Sequence, residues 1–213
     1  FCNQYSGLPV VTMASFTRPM CVLVTGANRG FGEAVCLSLA TKLQPHSVLV
    51  LLGRTEEGLK TTQAGVLNLN PGITTHVYSN FECGNLDCDS LTSHLKAIQL
   101  PGTVTDLLVV HNAGTVGDPS QSSLNTTLQS AQDYMNVNFS SAVAANSVFL
   151  EVFSSLSNKT VVNVTSLCGV LATKTVALYC AGKCYVYVCA VHIPTATRIR
   201  IKKPEVLLGI QHV

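Results

Sequence analysis

The sequence predicts an α/β fold, a doubly wound parallel sheet with helices on both faces. Two observations predict it. Short apolar runs alternate with stretches of helical periodicity, and the breaks between them are brief and hold proline or glycine. A glycine turn, Thr25-Gly26-Ala27-Asn28-Arg29-Gly30-Phe31-Gly32, follows the first apolar run and opens the first helical stretch.

Each element has its own signal. Met20 to Thr25 is β-rich and apolar, a first strand. Phe31 to Leu43 has helical periodicity and stops before Pro45. Ser47 to Leu52 is a continuous apolar run, as a strand buried on both faces requires. Glu56 to Leu69 reads as a helix halted by Pro71-Gly72, and Ile73 to Ser79 alternates as a strand does. Leu86 to Leu100 suits a helix closed by Pro101-Gly102, and Asp106 to His111 is another buried strand. Gln129 to Leu156 reads as one long helix and Thr160 to Val164 as a fifth strand. Residues 1–19 hold Pro9 and Pro19 and read as a loose extension, with Met13 a better start for the domain.

Composition narrows the function. A chain of 213 residues that is 47% hydrophobic and 11% charged has a core to bury and is not disordered. A net charge of +2 argues against nucleic acid or an anionic membrane surface as partner. No apolar run approaches the roughly 20 residues of a spanning helix. Nine cysteines without a Cys-x-x-Cys pair read as reduced thiols in a cytoplasmic protein, and no metal site is expected, Cys83 and Cys88 included.

The glycine turn suits a phosphate. Gly26 permits a tight strand-to-helix turn; Gly30 and Gly32 let phosphates and the neighbouring strand approach the backbone, and the helix end supplies free amides. With the alternating strands, this makes the fold Rossmann-type. Arg54 ends the second strand, where an acid would select a ribose 2′-hydroxyl and an arginine accepts a 2′-phosphate. With Arg29 in the turn, the expected cofactor is NADP(H) rather than NAD.

Tyr179 and Lys183 are four residues apart, so a helix stacks them on one face. A nearby ammonium favours the phenolate, and a tyrosine so tuned can protonate an alkoxide as hydride reaches a carbonyl carbon. Ser166, at the end of the fifth strand, can hydrogen-bond the same oxygen.

In this order these residues resemble the short-chain dehydrogenase/reductase family. The strings Gly26 to Gly32, Ser47 to Leu51, Thr160 to Cys168 and Ala177 to Lys183 are similar to its pterin-reducing members, with Phe31 and Cys180 distinguishing; the likeness runs from about Met20 to Lys183. The resemblance implies a catalytic set of Asn138, Ser166, Tyr179 and Lys183, in which Asn138 supports a water beside the lysine. It implies a cofactor surface of Gly26, Ala27, Asn28, Arg29, Gly30, Phe31, Gly32, Arg54, Thr55, Asn80, Phe81, Asn112, Ala113, Gly114 and Lys183. Ser166, Leu167 and Tyr179 would meet the substrate, a small-molecule ketone on a pterin side chain, reduced with NADPH toward tetrahydrobiopterin by a homodimer.

Three departures stand out. His111 replaces a family asparagine, and Asn80 replaces an aspartate near adenine. After Lys183 the likeness stops. Cys184 to Val188 is β-rich, a poor continuation of a helix, and no Pro-Gly follows. Glu205 is the only acid in the tail, and no residue matches the family's pterin anchor. The expected division is a reductase domain over 20–183 and a divergent tail over 184–213, with the last strands missing and a sheet edge left open. Two alternatives to a working pterin reductase follow: a non-catalytic form that binds NADP or pairs with full-length subunits, and a sister reductase for another ketone.

Overall fold

The computed structural model describes residues 16–117, 126–171, 176–189, 196–200 and 207–212. Five parallel strands carry the molecule: β1 (Met20–Thr25), β2 (Val48–Leu52), β3 (Thr74–Tyr78), β4 (Asp106–His111) and β5 (Asn158–Thr165). The sheet order is β3-β2-β1-β4-β5, so the chain winds outward from β1, returns, and winds out the other way from β4.

Alternation along each strand sends successive side chains to opposite faces. Val22, Val24, Leu49, Leu51, Leu108 and Val110 pack under α1 (Gly30–Ala40) and α2 (Glu56–Leu69). Leu23, Val50, Leu52, Leu107 and Val109 pack on the other face, with Leu91 and Leu95 of α3 (Cys88–Lys96) and Ala145 and Phe149 of α5 (Ser141–Val152). Strands buried on both faces explain why β1, β2 and β4 read as unbroken apolar runs.

The long helix expected over 129–156 is three pieces. It begins as α4 (Leu128–Met135), capped by Thr127, whose hydroxyl accepts from the Ser130 amide, passes through a π-turn at Asn136–Ser140 and continues as α5. The π-turn brings Asn138 into the interior, where it is buried.

Two expectations for the tail need correction. Cys184 to Val188 continues helix α6 (Ala177–Cys189) rather than leaving it. Intrinsic β preference is worth only tenths of a kcal/mol per residue, and a helix already nucleated adds one hydrogen bond per residue. The edge beyond β5 is not open either. Strand β7 (Leu207–His212) pairs with β5 antiparallel, and β6 (Ala196–Arg200) pairs with β7, also antiparallel. The last strands are present: β7 runs opposite to the first five and β6 in their sense, and β7 satisfies the β5 backbone groups that would otherwise be exposed.

Of the loose segment expected over 1–19, residues 1–15 lie outside the described residues. Just ahead of β1 the chain is tied down: Phe16 packs against the core and its carbonyl accepts from the Gln44 side chain at 2.8 Å, and Arg18 pairs with Asp106 at 3.5 Å.

Candidate active site

The chain reverses its winding between β1 and β4, and a crevice opens at their carboxyl ends. Thr25 joins the two strand ends. Its hydroxyl accepts from the Asn112 and Ala113 amides, both at 3.0 Å, and donates to the Val110 carbonyl at 3.5 Å. The Asn112 side chain returns to β1, donating to the Thr25 carbonyl at 3.0 Å and the Gly26 carbonyl at 3.3 Å.

That closure leaves no room for side chains. Gly26 has φ +67°, and a Cβ on Gly32 would stand 2.1 Å from the Gly26 carbonyl oxygen. Gly30 differs: its φ is +59°, yet a Cβ there would meet nothing within 4 Å. Gly30 therefore faces open space at the mouth of α1, where the helix presents unpaired amides.

The cleft measures about 330 Å³. Of the expected cofactor residues, Gly26, Asn28, Arg29, Phe31, Gly32, Arg54, Phe81, Asn112, Ala113 and Gly114 line it. Ala27 is buried beneath, its carbonyl accepting from Thr62 at 2.9 Å. Thr55 supports the wall from behind, accepting from the Asn28 amide at 2.9 Å. Asn80 is exposed past the end of β3 and does not reach the cleft lining.

Sequence reading missed Gly53, Glu82, Cys83, Thr115 and Val137, which also line the cleft. Gly53 had a signal, since it sits between a strand and Arg54; a Cβ there would come within 2.7 Å of the Asn28 Oδ1. Glu82 had none, because its approach to Arg54, 4.0 Å between Nη1 and Oε1, depends on β2 and β3 lying side by side. Burial pushes the Cys83 thiol up from its ordinary pKa.

The residues expected to transfer the proton lie just after β5, on α6 and in the π-turn beside this cleft. Ser166 follows β5 and is buried; its hydroxyl accepts from the Cys168 amide at 3.3 Å. Lys183 Nζ lies 5.8 Å from the Tyr179 ring centroid and donates to the Val164 carbonyl at 3.0 Å, while the Lys183 carbonyl accepts from Thr165 at 2.9 Å. These bonds fix α6 against β5. Burial lowers the Lys183 pKa to about 8, so at neutral pH most of its ammonium persists. Asn138 links the set to the cleft. Its Oδ1 accepts from the Thr115 amide at 2.8 Å and its Nδ2 donates to the Tyr134 carbonyl at 3.0 Å. A Cβ on Gly114 would stand 2.8 Å from that Oδ1 and 3.9 Å from Lys183 Nζ. Leu167 follows Ser166 in a single 3₁₀ turn, half-buried. His111, at the end of β4, is fully buried; its Nε2 pairs with Asn146 Oδ1 at 3.2 Å and its ring stacks on Phe149.

The profile of the short chain dehydrogenase family matches residues 20–191. The chain belongs to the short chain dehydrogenase family. The match runs past Lys183 through α6, beyond the Met20 to Lys183 span of the resemblance. Among curated proteins, sepiapterin reductase of Rattus norvegicus is 35% identical over 167 residues and that of Xenopus tropicalis 34%, in each case over 77% of this chain and 63% of the relative. The chain thus spans less than two thirds of the length of these relatives. Among solved structures, a short chain dehydrogenase of Escherichia coli CFT073 complexed with NADPH superposes with a TM-score of 0.68 at 23% identity, covering 83% of this chain and 72% of the other. The bulky-bulky ketone specific alcohol dehydrogenase of Comamonas testosteroni gives 0.65 at 18%, over 82% and 66%. At these identities the superpositions establish the fold. Among the described residues, no helix is long and apolar enough to cross a membrane and no cluster of three metal-ligating side chains occurs.

Proposed function

We propose that the chain is an NADP(H)-dependent carbonyl reductase whose substrate is a ketone on a pterin side chain. The observation that carries the reading is that Lys183 and Tyr179 share one face of α6, that Lys183 bonds to Val164 and Thr165 just ahead of Ser166, and that Asn138 bonds to Thr115 in the wall of a glycine-lined cleft. The cleft fits a dinucleotide: Gly26 and Gly32 allow close backbone approach, Gly30 faces open space, and Arg29 and Arg54 stand where a 2′-phosphate would need cations. The reduced nicotinamide, when bound, supplies hydride to the carbonyl carbon. Ser166 orients the carbonyl oxygen, Tyr179 delivers a proton to it, and the Lys183 charge stabilises the phenolate that remains. The sepiapterin reductases among its relatives support the pterin as substrate and tetrahydrobiopterin formation as the outcome.

A second reading, a sister reductase for another ketone, is favoured by the tail, where Glu205 is the only acid after Lys183. The test is direct. The purified chain should oxidise NADPH when sepiapterin is added, and Tyr179→Phe should lower that turnover at least ~10²-fold while NADPH binding holds. Turnover with other ketones and none with sepiapterin establishes the second reading. Full activity in Tyr179→Phe removes Tyr179 as proton donor.

A further inference from the structure

Arg54 does not wait alone for its phosphate. Glu82, on the segment after β3, reaches across the cleft mouth so that its Oε1 lies 4.0 Å from Arg54 Nη1, and both side chains line the cleft. Parallel pairing of β2 with β3 holds the two strand ends side by side, and the Phe81 amide bonds to the Gly53 carbonyl at 3.1 Å, which anchors the residues just before Arg54 and Glu82 to one another. Backbone pairing therefore holds the two residues side by side, within reach of each other's side chains. Arg29, the other cation on this wall, makes no ion pair among the described residues.

We propose that Glu82 competes with the cofactor's 2′-phosphate for Arg54, and so sets how strongly the site prefers a 2′-phosphorylated nucleotide. The inference rests on the dinucleotide reading of the cleft. At 4.0 Å the pair is loose and both side chains are more than half exposed, 60% and 53%. Its energy is that of a surface ion pair, small and screened by salt. A doubly charged phosphate displaces a single carboxylate at modest expense, but that expense falls only on ligands that carry the phosphate. A nucleotide with a bare 2′-hydroxyl leaves the pair in place and is indifferent to it. Glu82 is thus a specificity-determining residue that weakens the preference Arg54 creates.

The test is calorimetric binding of 2′,5′-ADP and 5′-AMP to the full 213-residue chain and to Glu82→Gln, Arg54→Ala and the double variant. Glu82→Gln should bind 2′,5′-ADP about two- to fivefold tighter, the range an exposed ion pair supports, with 5′-AMP unchanged. The gain should shrink as salt is added. It should vanish in the Arg54→Ala background, because the competition acts through that guanidinium. Both side chains are exposed, so an unchanged melting temperature accompanies either substitution. An equal gain in the Arg54→Ala background overturns the proposal, since Glu82 would then repel the phosphate directly. No change in the ratio of the two affinities overturns it as well. If the unsubstituted chain binds neither nucleotide, the dinucleotide reading falls and takes this inference with it; binding of both with a silent Glu82→Gln removes this inference alone.

Discussion

Substituting alanine at Gly32 measures how much of the fold depends on the close contact of β1 with α1. The new methyl would stand 2.1 Å from the Gly26 carbonyl oxygen, 2.6 Å from the Asn112 Nδ2 and 2.8 Å from the Gly26 carbonyl carbon, where 3.0 Å is the practical limit for a Cβ. Two of those three neighbours are backbone, so no side chain can swing away. The turn and the helix must separate, and Asn112 must give up one or both of its bonds to the β1 end. Overpacking of this kind costs about 1–3 kcal/mol, and backbone rigidity places Gly32 at the upper end. Alanine returns up to about 1 kcal/mol, because the position is helical. The net loss is about 2 kcal/mol, a fall of about 4–8 °C in melting temperature for a chain of this size. Gly65→Ala is the internal control. It is also a helical glycine, but its Cβ would meet only Leu37 Cδ2, the far end of a flexible side chain, at 2.9 Å. Scanning calorimetry of the two variants should show Gly65→Ala within about 2 °C of the parent. If Gly32→Ala melts alongside Gly65→Ala, the close contact is not the reason for glycine at this position.

Three other expectations follow from buried polar groups. His111 is fully buried with a pKa lowered by desolvation to about 4, against 6.5 when exposed, so the unfolded chain binds the extra proton across that interval. Stability should fall as pH drops from 6.5 to 4, by roughly 3 kcal/mol in all, and urea titrations of His111→Asn should show a flatter acid limb. Lys183 has the same sense at alkaline pH. Its folded pKa of about 8 lies below the 10.5 of a free lysine, so its contribution to stability rises with pH between those values. Cys21 and Cys36, pushed up to about 12 from 9.0 by burial, oppose it above pH 9, so the difference between the parent and Lys183→Met between pH 8 and 9 isolates the lysine; a difference independent of pH would refute the burial argument. Asn138→Ala removes the bond that ties Thr115 to the π-turn and the bond to the Tyr134 carbonyl, and should cost about 1–3 kcal/mol by urea denaturation, with a loss of turnover. Unchanged turnover at a lowered stability would confine Asn138 to a purely structural part.

The five parallel strands, the glycine turn and the Tyr179–Lys183 spacing were legible in the sequence because each depends on local periodicity. A strand covered on both faces must be apolar throughout, a turn with φ of +67° and +59° favours glycine, and residues four apart on a helix must share a face. What only tertiary structure decided involves groups far apart in the chain. The hydroxyl of Thr25 finds the amides of Asn112 and Ala113 because β1 and β4 are neighbours. Glu82 reaches Arg54 because β2 and β3 are neighbours. The π-turn at Asn136–Ser140 breaks an otherwise uniform helical pattern at the point where Asn138 is tied to the β4 loop. The tail shows the limit most plainly. Local preference made Cys184 to Val188 a poor continuation of a helix and left the outer edge of β5 open, whereas the chain keeps α6 helical to Cys189 and returns β7 antiparallel against β5. Helix continuation and strand pairing each contribute a hydrogen bond per residue, which outweighs tenths of a kcal/mol of intrinsic preference, and no short window of sequence contains the partner that decides between them.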